Sequence, residues 1–253
     1  MAHFPFQRLQ AELATLIART PGGQRLPSEP ELARQMGVSR ATLREAMRSF
    51  ETQGRIRRRQ GAGTFVVGEV PLLESGLEVL ESLDTMAQRL NLEVTVSDLQ
   101  VERTFADQEL AERLKVSLST RLTRVRRVVR TDNRPVAYLM DILLEEVLKP
   151  EDLPATFHGS VLDFLLKRGD SLTTARANIS AIGAPADVAK ALEIQRGDVL
   201  LHFNSQLYNS AGKVVDVTLS YFLPGYFNFH IVRRVGLPDG KIISKEETSR
   251  NVS

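Results

Sequence analysis

Residues 25–67 have the sequence RLPSEPELARQMGVSRATLREAMRSFETQGRIRRRQGAGTFVV, and this stretch decides the fold of the N-terminal part of the chain. Ser28 and Glu31 have the Ser-x-x-Glu spacing of a capping box, and Gly37 can adopt the left-handed conformation that ends a short helix. Ser39 can cap a second helix, in which apolar residues recur at i, i+3, i+4 and i+7. These apolar residues are Leu43, Ala46, Met47 and Phe50. The pattern predicts two short helices joined by a tight turn.

A basic, glycine-containing segment follows the second helix. Residues 55–60 are RIRRRQ, residues 61–63 are GAG and residues 64–67 are TFVV. Apolar and β-branched residues on both sides of a glycine-rich turn predict a β-hairpin, which is called a wing when it follows two such helices. The order of these elements predicts a winged helix-turn-helix domain that binds duplex DNA.

The candidate DNA-contacting residues are polar or basic groups at the exposed side of the second helix, together with the wing. They are Ser39, Arg40, Thr42, Arg44, Arg48, Arg58, Arg59, Gln60, Gly61 and Gly63. Arginine side chains suit guanine edges or phosphates, and small wing residues let the backbone approach a sugar-phosphate strand. Each motif alone also fits an ordinary helical hairpin or basic turn. Their order within 43 residues favours the DNA-binding interpretation.

The charge distribution divides the chain into two parts. Residues 1–68 contain 11 Arg, no Lys and 5 acidic residues, a net charge of +6; the remainder contains 22 basic and 26 acidic residues, a net charge of −4. The basic part is therefore the candidate for binding phosphate backbones. The chain has no cysteine and no run of about 20 apolar residues, so we expect a cytoplasmic protein without disulfides or a membrane span.

The hydrophobic pattern changes after the wing. Leucines at spacings of three and four over residues 72–90 predict a linker helix, which either contacts a partner subunit or packs on its own chain. Beyond residue 93 a period of two predicts strands and hairpins. The fold class is α+β. Its predicted parts are the winged helix-turn-helix domain (1–68), the linker or coupling helix (69–92), a mixed or antiparallel β-sheet domain with helices (93–236) and a polar C-terminal tail (237–253).

A strand-helix-hairpin unit occurs twice in the C-terminal domain. Ala111 and Leu122 correspond to Ala189 and Leu200 at an offset of 78 residues. Two such units side by side predict one antiparallel sheet with helices on one face. The alternative is that the matching alternation of apolar and polar residues arises by chance.

The N-terminal motifs resemble the GntR family of bacterial transcription regulators. The matching segments are Leu26-Pro27-Ser28-Glu29, Gly37-Val38-Ser39-Arg40, Leu43-Arg44-Glu45-Ala46 and residues 61–66. The resemblance implies DNA contacts from Ser39, Arg40, Thr42, Arg44, Gln60 and Gly61. Pro30 departs from the arginine that many members have at this position.

Residues 93–236 resemble the UTRA ligand-sensing domain of the HutC-type branch, whose fold is similar to that of chorismate lyase. The matching segments are residues 127–135 (RVVRTDNRP), 159–162 (GSVL), 189–192 (AKAL), 197–200 (GDVL) and 214–218 (VVDVT). The resemblance implies a domain that binds a small metabolite without transforming it. The candidate effector-binding residues are Arg127, Ser160, Arg176, Asn178, His202, Asp216 and Tyr226.

Each candidate effector residue also has a structural interpretation. Ser160 can seat an anion at a helix N-terminus or simply cap that helix, and Arg127 can bind a carboxylate or phosphate or remain solvated. His202 fits a hairpin histidine with satisfied hydrogen bonds equally well.

The sequence thus predicts a homodimeric transcription regulator that acts as a repressor. It binds double-stranded DNA at a near-palindromic operator, under the control of a small-molecule effector. One alternative is a chorismate-lyase-like enzyme domain fused to a DNA-binding module, and another is a ligand-independent DNA binder. The four histidines are scattered, and we identify no nucleophile-base pair or metal-ligand cluster. No catalytic residue, metal or cofactor is predicted.

Overall fold

The N-terminal domain contains three helices and a hairpin in the computed structural model, which describes residues 3–59, 62–67, 73–157 and 159–233. Its elements are α1 (His3–Arg19), α2 (Glu29–Gln35), α3 (Arg40–Thr52), β1 (Ile56–Arg59) and β2 (Gly63–Val66). The two strands pair antiparallel, with Ile56 opposite Val66 and Arg59 opposite Gly63. This is the predicted winged helix-turn-helix arrangement.

The core of this domain is formed by the apolar residues that the helical spacing identified. Leu43, Ala46, Met47 and Phe50 are all buried in α3, where they pack with residues of α1 that include Leu9, Leu13 and Ile17. The N-terminal ends of α2 and α3 are stabilised as predicted. The Ser28 N–H donates to the Glu31 carboxylate at 2.9 Å, and the Thr42 N–H donates to Ser39 Oγ at 3.1 Å.

The segment predicted to be a linker helix contains a strand and a short helix instead. β3 (Leu73–Gly76) pairs in parallel with β10 (Phe227–His230), and α4 spans Leu83–Arg89. Leu77 and Leu80, which the leucine spacing assigned to an apolar helix face, are exposed. The continuous helix was therefore a wrong prediction. Its physical reason is that β3 obtains its backbone hydrogen bonds from a strand distant in sequence, and local spacing cannot encode that pairing.

The C-terminal domain is built on one six-stranded antiparallel sheet with the order β4-β5-β6-β9-β8-β7. The strands are β4 (Thr95–Phe105), β5 (Arg121–Thr131), β6 (Arg134–Leu144), β7 (Leu172–Gly183), β8 (Val199–Asn209) and β9 (Val214–Phe222). The helices are α5 (Gln108–Leu114), α6 (Val161–Arg168) and α7 (Ala186–Ala191). No helix among the described residues is long and apolar enough to cross a bilayer.

The internal repeat is confirmed by the element bounds. Adding 78 to the bounds of β5 (121–131) gives 199–209, the bounds of β8, and adding 78 to those of α5 (108–114) gives 186–192, against 186–191 for α7. The two units meet where β6 pairs with β9, so the sheet order is symmetrical about that pair. Adding 78 to the bounds of α4 (83–89) gives 161–167, against 161–168 for α6, so these two helices also correspond.

Helices cover both faces of this sheet. Leu122 and Ile142 pack with α5, whereas Val125 and Leu143 pack with α6. Because neighbouring side chains of a strand point to opposite faces, α5 and α6 lie on opposite sides. We call the side covered by α6 face A and the side covered by α5 face B. The predicted coverage of one face only was wrong, because each repeat also contributes a first helix, α4 or α6, which the predicted strand-helix-hairpin unit left out.

Candidate DNA interface and effector site

The N-terminal half of α3 presents basic and hydroxyl groups to solvent. Ser39, Arg40, Thr42 and Arg44 are all exposed, and the Ser39 and Thr42 hydroxyls lie 2.8 Å apart. Ser39 Oγ accepts the Thr42 N–H as the cap of α3, so the exposed Ser39 hydroxyl also stabilises the start of this helix. This end of the helix combines exposed guanidinium groups with the positive end of the helix dipole, the combination that suits a phosphate backbone.

Glutamates of the same domain pair with three of the candidate arginines, Arg44, Arg58 and Arg48, and the Arg48 guanidinium lies 3.1 Å from Glu45. Arg44 Nε lies 2.6 Å from the Glu29 carboxylate, although the Arg44 side chain remains 56% exposed. Arg58 lies 3.5 Å from Glu51 and 3.9 Å from Glu29, and its guanidinium also donates to the Arg44 carbonyl at 3.3 Å. Arg58 is therefore turned back towards α3 and positions Arg44 instead of extending from the wing.

The outward side of the wing carries Arg57 and Arg59, which are both exposed. The Arg59 guanidinium lies 5.3 Å from the centre of the Phe65 ring. Sequence reasoning named Arg58 but missed Arg57. The period of two in residues 56–59 was the signal, because it groups Arg57 with Arg59 and Ile56 with Arg58.

The remaining candidates for DNA contact are Gly63, Gln60 and Gly61 of the wing and Arg48 of α3. Gly63 has φ +110°, a backbone conformation that favours glycine, whereas the closest contacts of a side chain there would be with the flexible Arg25 guanidinium. Gln60 and Gly61 lie outside the described residues. Arg48, further along α3, is paired with the C-terminal domain: its guanidinium lies 3.1 Å from the Asp198 carboxylate.

Three of the seven effector candidates lie on or near face A, around a buried ion pair. The Arg127 guanidinium donates to the Asp141 carboxylate, and both side chains are less than a tenth exposed. Sequence reasoning missed Asp141. The hairpin turn was the available signal, because the β5-β6 register pairs Arg127 with Leu139 and so puts Asp141 diagonally next to Arg127 on the same face.

Asp216 lies on the same face, opposite Leu143 of β6. Its carboxylate accepts from the Ile142 N–H at 3.0 Å and from the Thr218 hydroxyl at 3.1 Å. Burial raises the pKa of Asp216 well above its ordinary value, and the nearby negative charge of Asp141 raises it further. Asp216 therefore tends to hold a proton where an exposed aspartate would not.

Ser160 begins α6 beside further carboxylates. Its hydroxyl accepts from the Asp163 N–H at 3.3 Å, and the Asp163 carboxylate accepts from the Ser82 hydroxyl at 2.6 Å. Burial raises the pKa of Asp84, an effect opposed by the positive charge of Arg127 and by the backbone N–H of Ser160. The protein's own carboxylates thus already face the helix end that sequence reasoning considered as an anion site. Sequence reasoning missed Asp84, which has no signal before the fold is known.

The remaining four candidates lie elsewhere. Strand register puts Arg176, Asn178 and His202 on face B, across the sheet from Arg127. Arg176 and Asn178 are exposed on β7, and His202 stacks against Tyr221 with ring centres 4.7 Å apart. Burial, followed by the positive charge of Arg113, lowers the pKa of His202. The expectation that these residues join Arg127 in one site is corrected, because membership of one sheet does not decide the face.

Tyr226 contacts the N-terminal domain. A Cβ atom built on Gly54, which follows α3, would lie 2.9 Å from the Tyr226 ring. The Arg134 guanidinium lies 5.7 Å from the centre of the same ring. Tyr226 is therefore part of the contact between the domains and is separated from the Arg127 cluster.

These features define a class of protein: a regulator with a basic helix for DNA and a separate sheet domain with a buried polar cluster. Among the described residues, no group of three His, Cys, Asp or Glu side chains is arranged to hold a metal ion. Residues 6–66 match the gntR family of bacterial regulatory proteins, and residues 89–228 match the UTRA domain. The chain belongs to the gntR family and carries a UTRA domain, so it is a DNA-binding transcription regulator.

Known relatives agree with this assignment. The HTH-type transcriptional regulator Rv0792c of Mycobacterium tuberculosis is 31% identical over 230 residues, which cover 87% of this chain and 81% of the relative. The HTH-type transcriptional repressor NagR of Bacillus subtilis is 26% identical, with 81% and 83% covered. The crystal structure of PhnF from Mycobacterium smegmatis superposes with a TM-score of 0.62 at 23% identity, covering 90% of this chain and 99% of that one. The last comparison shows a shared fold.

Proposed function

We propose that this protein is a homodimeric repressor that acts in the cytoplasm and releases a near-palindromic operator when a small metabolite binds beside Arg127. The observation that carries the DNA-binding part is the exposed, basic N-terminal half of α3, with Arg40 and Arg44 outward and Leu43 and Met47 buried beneath them. Two such helices related by a two-fold axis would contact equivalent half-sites.

The chemistry around Arg127 supports a particular kind of effector. Its guanidinium is paired with Asp141, and its positive charge also acts on Asp84 and Asp216. Since the carboxyl groups of Asp84, Asp141 and Asp216 already lie around one guanidinium, we propose an effector that offers hydrogen-bond donors, such as hydroxyl or amine groups. An effector that offers only a phosphate would have to displace a carboxylate of the protein first.

The hydrogen bonds of the carboxyl groups near Arg127 support a domain that binds its effector without catalysing a reaction. Each carboxylate with a described role in it accepts hydrogen bonds from the protein: Asp216 from Ile142 and Thr218, and Asp163 from Ser82. Groups held in this way bind and orient a ligand. The enzyme alternative predicts turnover of a chorismate-like substrate, which product analysis by chromatography would detect.

Control of DNA binding requires an effector that prefers one arrangement of the protein. An effector that weakens operator binding by some factor must itself bind more weakly, by the same factor, when DNA is present. This reciprocity separates a sensing domain from a ligand site without any regulatory role.

Strand β7 is the candidate for the dimer contact. It is an edge strand of 12 residues, and its side chains on face A are small and apolar: Ala175, Ala177, Ile179 and Ala181. The opposite edge, β4, is interrupted by an irregularity between Ser97 and Gln100. In β7 the register shift lies at the first residues, between Leu172 and Thr174, and the pairing is continuous from Thr174 to Gly183. A long edge strand of this kind offers unpaired backbone groups to another strand, so we propose that β7 pairs with β7 of a second copy.

Introducing a charge on this edge is expected to separate the dimer. Ile179 is 46% exposed, so Ile179→Lys should leave the single chain folded while bringing two like charges together across the two-fold axis. Sedimentation velocity should show a monomer in place of a dimer. Phe105→Lys, which changes a 61% exposed residue on the β4 edge, is the matched control. A dimer that survives Ile179→Lys, or that Phe105→Lys disrupts, contradicts the β7 contact.

The proposed function is tested by selecting duplexes from a random-sequence pool with the wild-type protein. We expect enrichment of a near-palindromic site, whose affinity is then followed by fluorescence anisotropy while sugars, amines and organic acids are added singly. At least one compound should weaken binding, and the selected duplex should weaken that compound's binding by the same factor. No enriched duplex at low salt contradicts the function. An enriched duplex that no compound affects favours the ligand-independent alternative.

A further inference from the structure

The C-terminal half of α3 contacts the UTRA domain through charged and polar side chains. Arg48 lies 3.1 Å from the Asp198 carboxylate, and its guanidinium also donates to the Gln195 side chain. The Thr52 hydroxyl lies 3.4 Å from the other Asp198 oxygen. The Asp198 side chain is 9% exposed and that of Arg48 is 30% exposed. The ion pair is thus partly shielded from water and is screened less than an ion pair on an open surface.

A second contact holds the end of the same helix. The Arg134 guanidinium donates to the Glu51 carbonyl at 2.7 Å and lies over the Tyr226 ring, which packs under Gly54. Glu51 is in the last turn of α3, where helix carbonyls have no partner within the helix. The UTRA domain therefore supplies a cation at the negative end of the α3 dipole.

Asp198 is held in position by its own loop. The Gln195 N–H donates to the Asp198 carboxylate at 3.0 Å, and Gly197 between them has φ +87°. The carboxylate that meets Arg48 is therefore ordered by backbone contacts that do not depend on the N-terminal domain. A preorganised carboxylate pairs with a guanidinium at a smaller cost in side-chain entropy than a mobile one.

The contact involves a residue on the side of α3 that faces DNA in the proposed function. Arg40, Arg44 and Arg48 are four residues apart and so follow one another along one side of the helix. A duplex held by Arg40 and Arg44 brings phosphates towards Arg48. The Arg48 guanidinium cannot pair fully with a phosphate and with Asp198, and the two anions repel each other.

We propose that Asp198 and Gln195 compete with operator phosphates for Arg48, so that the contact between α3 and the 195–198 loop is an autoinhibitory contact. This inference rests on the proposed function, because it requires that α3 binds DNA. Operator binding then includes the cost of breaking the Arg48–Asp198 ion pair. An effector that stabilises this contact lowers operator affinity, and one that opens it raises operator affinity.

The first test compares two variants that remove the same charge from neighbouring positions. Asp198→Asn keeps an acceptor for the Gln195 N–H and removes the charge that faces Arg48. Glu193→Gln removes a charge that pairs with Arg130 of its own domain at 2.8 Å. In fluorescence anisotropy with a duplex selected by the wild-type protein, Asp198→Asn should bind about threefold or more tightly than Glu193→Gln. Equal affinities of the two variants would overturn the proposal.

The second test locks the contact. The chain has no cysteine, so Thr52→Cys combined with Asp198→Cys adds the only two thiols. Their side chains are neighbours in the structure, and oxidation should join them. The oxidised protein should lose affinity for the selected duplex, and a reductant should restore it, whereas neither single-cysteine variant should respond. Failure of the disulfide to form, or full affinity in the oxidised protein, would overturn the proposal.

The two tests separate this proposal from the proposed function. If the wild-type protein selects a duplex but the variants bind it alike, the autoinhibitory contact is contradicted and the proposed function is not. If the wild-type protein selects no duplex, the proposed function is contradicted, and so is the autoinhibitory contact, which depends on it.

Discussion

Replacing Arg127 with methionine is expected to lower the free energy of unfolding of the C-terminal domain by about 3–5 kcal/mol. Arg127 and Asp141 are both buried on face A, so the variant leaves the Asp141 carboxylate without its partner inside the protein. Asp216 lies near Asp141 and cannot replace the lost cation, because it is another carboxyl group. A buried charge without compensation is among the few changes that destabilise a domain this strongly.

Tyrosine fluorescence during urea unfolding measures this effect in the domain concerned. All four tyrosines, residues 138, 208, 221 and 226, lie in the C-terminal domain, and the chain has no tryptophan. Arg103→Met is the control, since Arg103 pairs with Glu145 at 2.7 Å but is 51% exposed, and its loss should leave the free energy of unfolding nearly unchanged.

The double variant Arg127→Met, Asp141→Leu identifies the cause of the loss. Removing both charges should recover much of the stability, because no unpaired ion remains in the interior. If Arg127→Met is as mild as Arg103→Met, or if the double variant is less stable than Arg127→Met, the buried ion pair does not have the energetic role described here.

Replacing Arg44 with alanine is expected to weaken operator binding by about 1–3 kcal/mol and to relax the base preference at one operator position. Arg44 lies on the exposed side of α3, where Glu29 at 2.6 Å restricts its guanidinium before DNA arrives. A planar guanidinium can donate two hydrogen bonds to a guanine edge, and alanine can donate none. Affinity is measured by fluorescence anisotropy on the selected duplex and on duplexes with single base changes.

Two controls separate base contacts from general attraction to phosphate. Arg8→Ala removes the same charge from α1, where Arg8 is 82% exposed and paired with Glu12; it should weaken all duplexes slightly and equally. Arg44→Lys keeps the charge but loses the two-pronged donor geometry, so it should lose base preference with a smaller loss of affinity. An Arg44→Ala protein with unchanged base preference would remove Arg44 from the set that contacts bases.

The N-terminal domain was predictable because its information is local. Capping residues, a helical spacing of apolar positions and a glycine-rich turn all act within a few residues of one another. The buried set of α3, which includes Leu43 and Phe50, and the partner of Ser39 follow directly from such rules. The internal repeat was predictable for a related reason, since a fixed offset needs no knowledge of strand order.

What escaped prediction depends on pairing between distant segments. The pairing of β3 with β10 explains why leucines such as Leu77 are exposed and not part of a helix face. The division of the effector candidates between two faces depends on register across β8 and β9, and Tyr226 proved to contact Gly54 of the other domain. None of these relations is encoded within the short local windows from which helix and strand patterns are read.

The pairing of β3 with β10 also sets a mechanical limit on the two halves of the protein. Because β3 is joined to the sheet domain through β10, the chain from Val67 to Leu73 is the whole covalent connection between the domains. Six residue steps span roughly 20 Å at full extension. The DNA-binding domain must therefore reorient within this distance of Leu73, the first residue of β3. This limits the range of half-site spacings that one dimer can span.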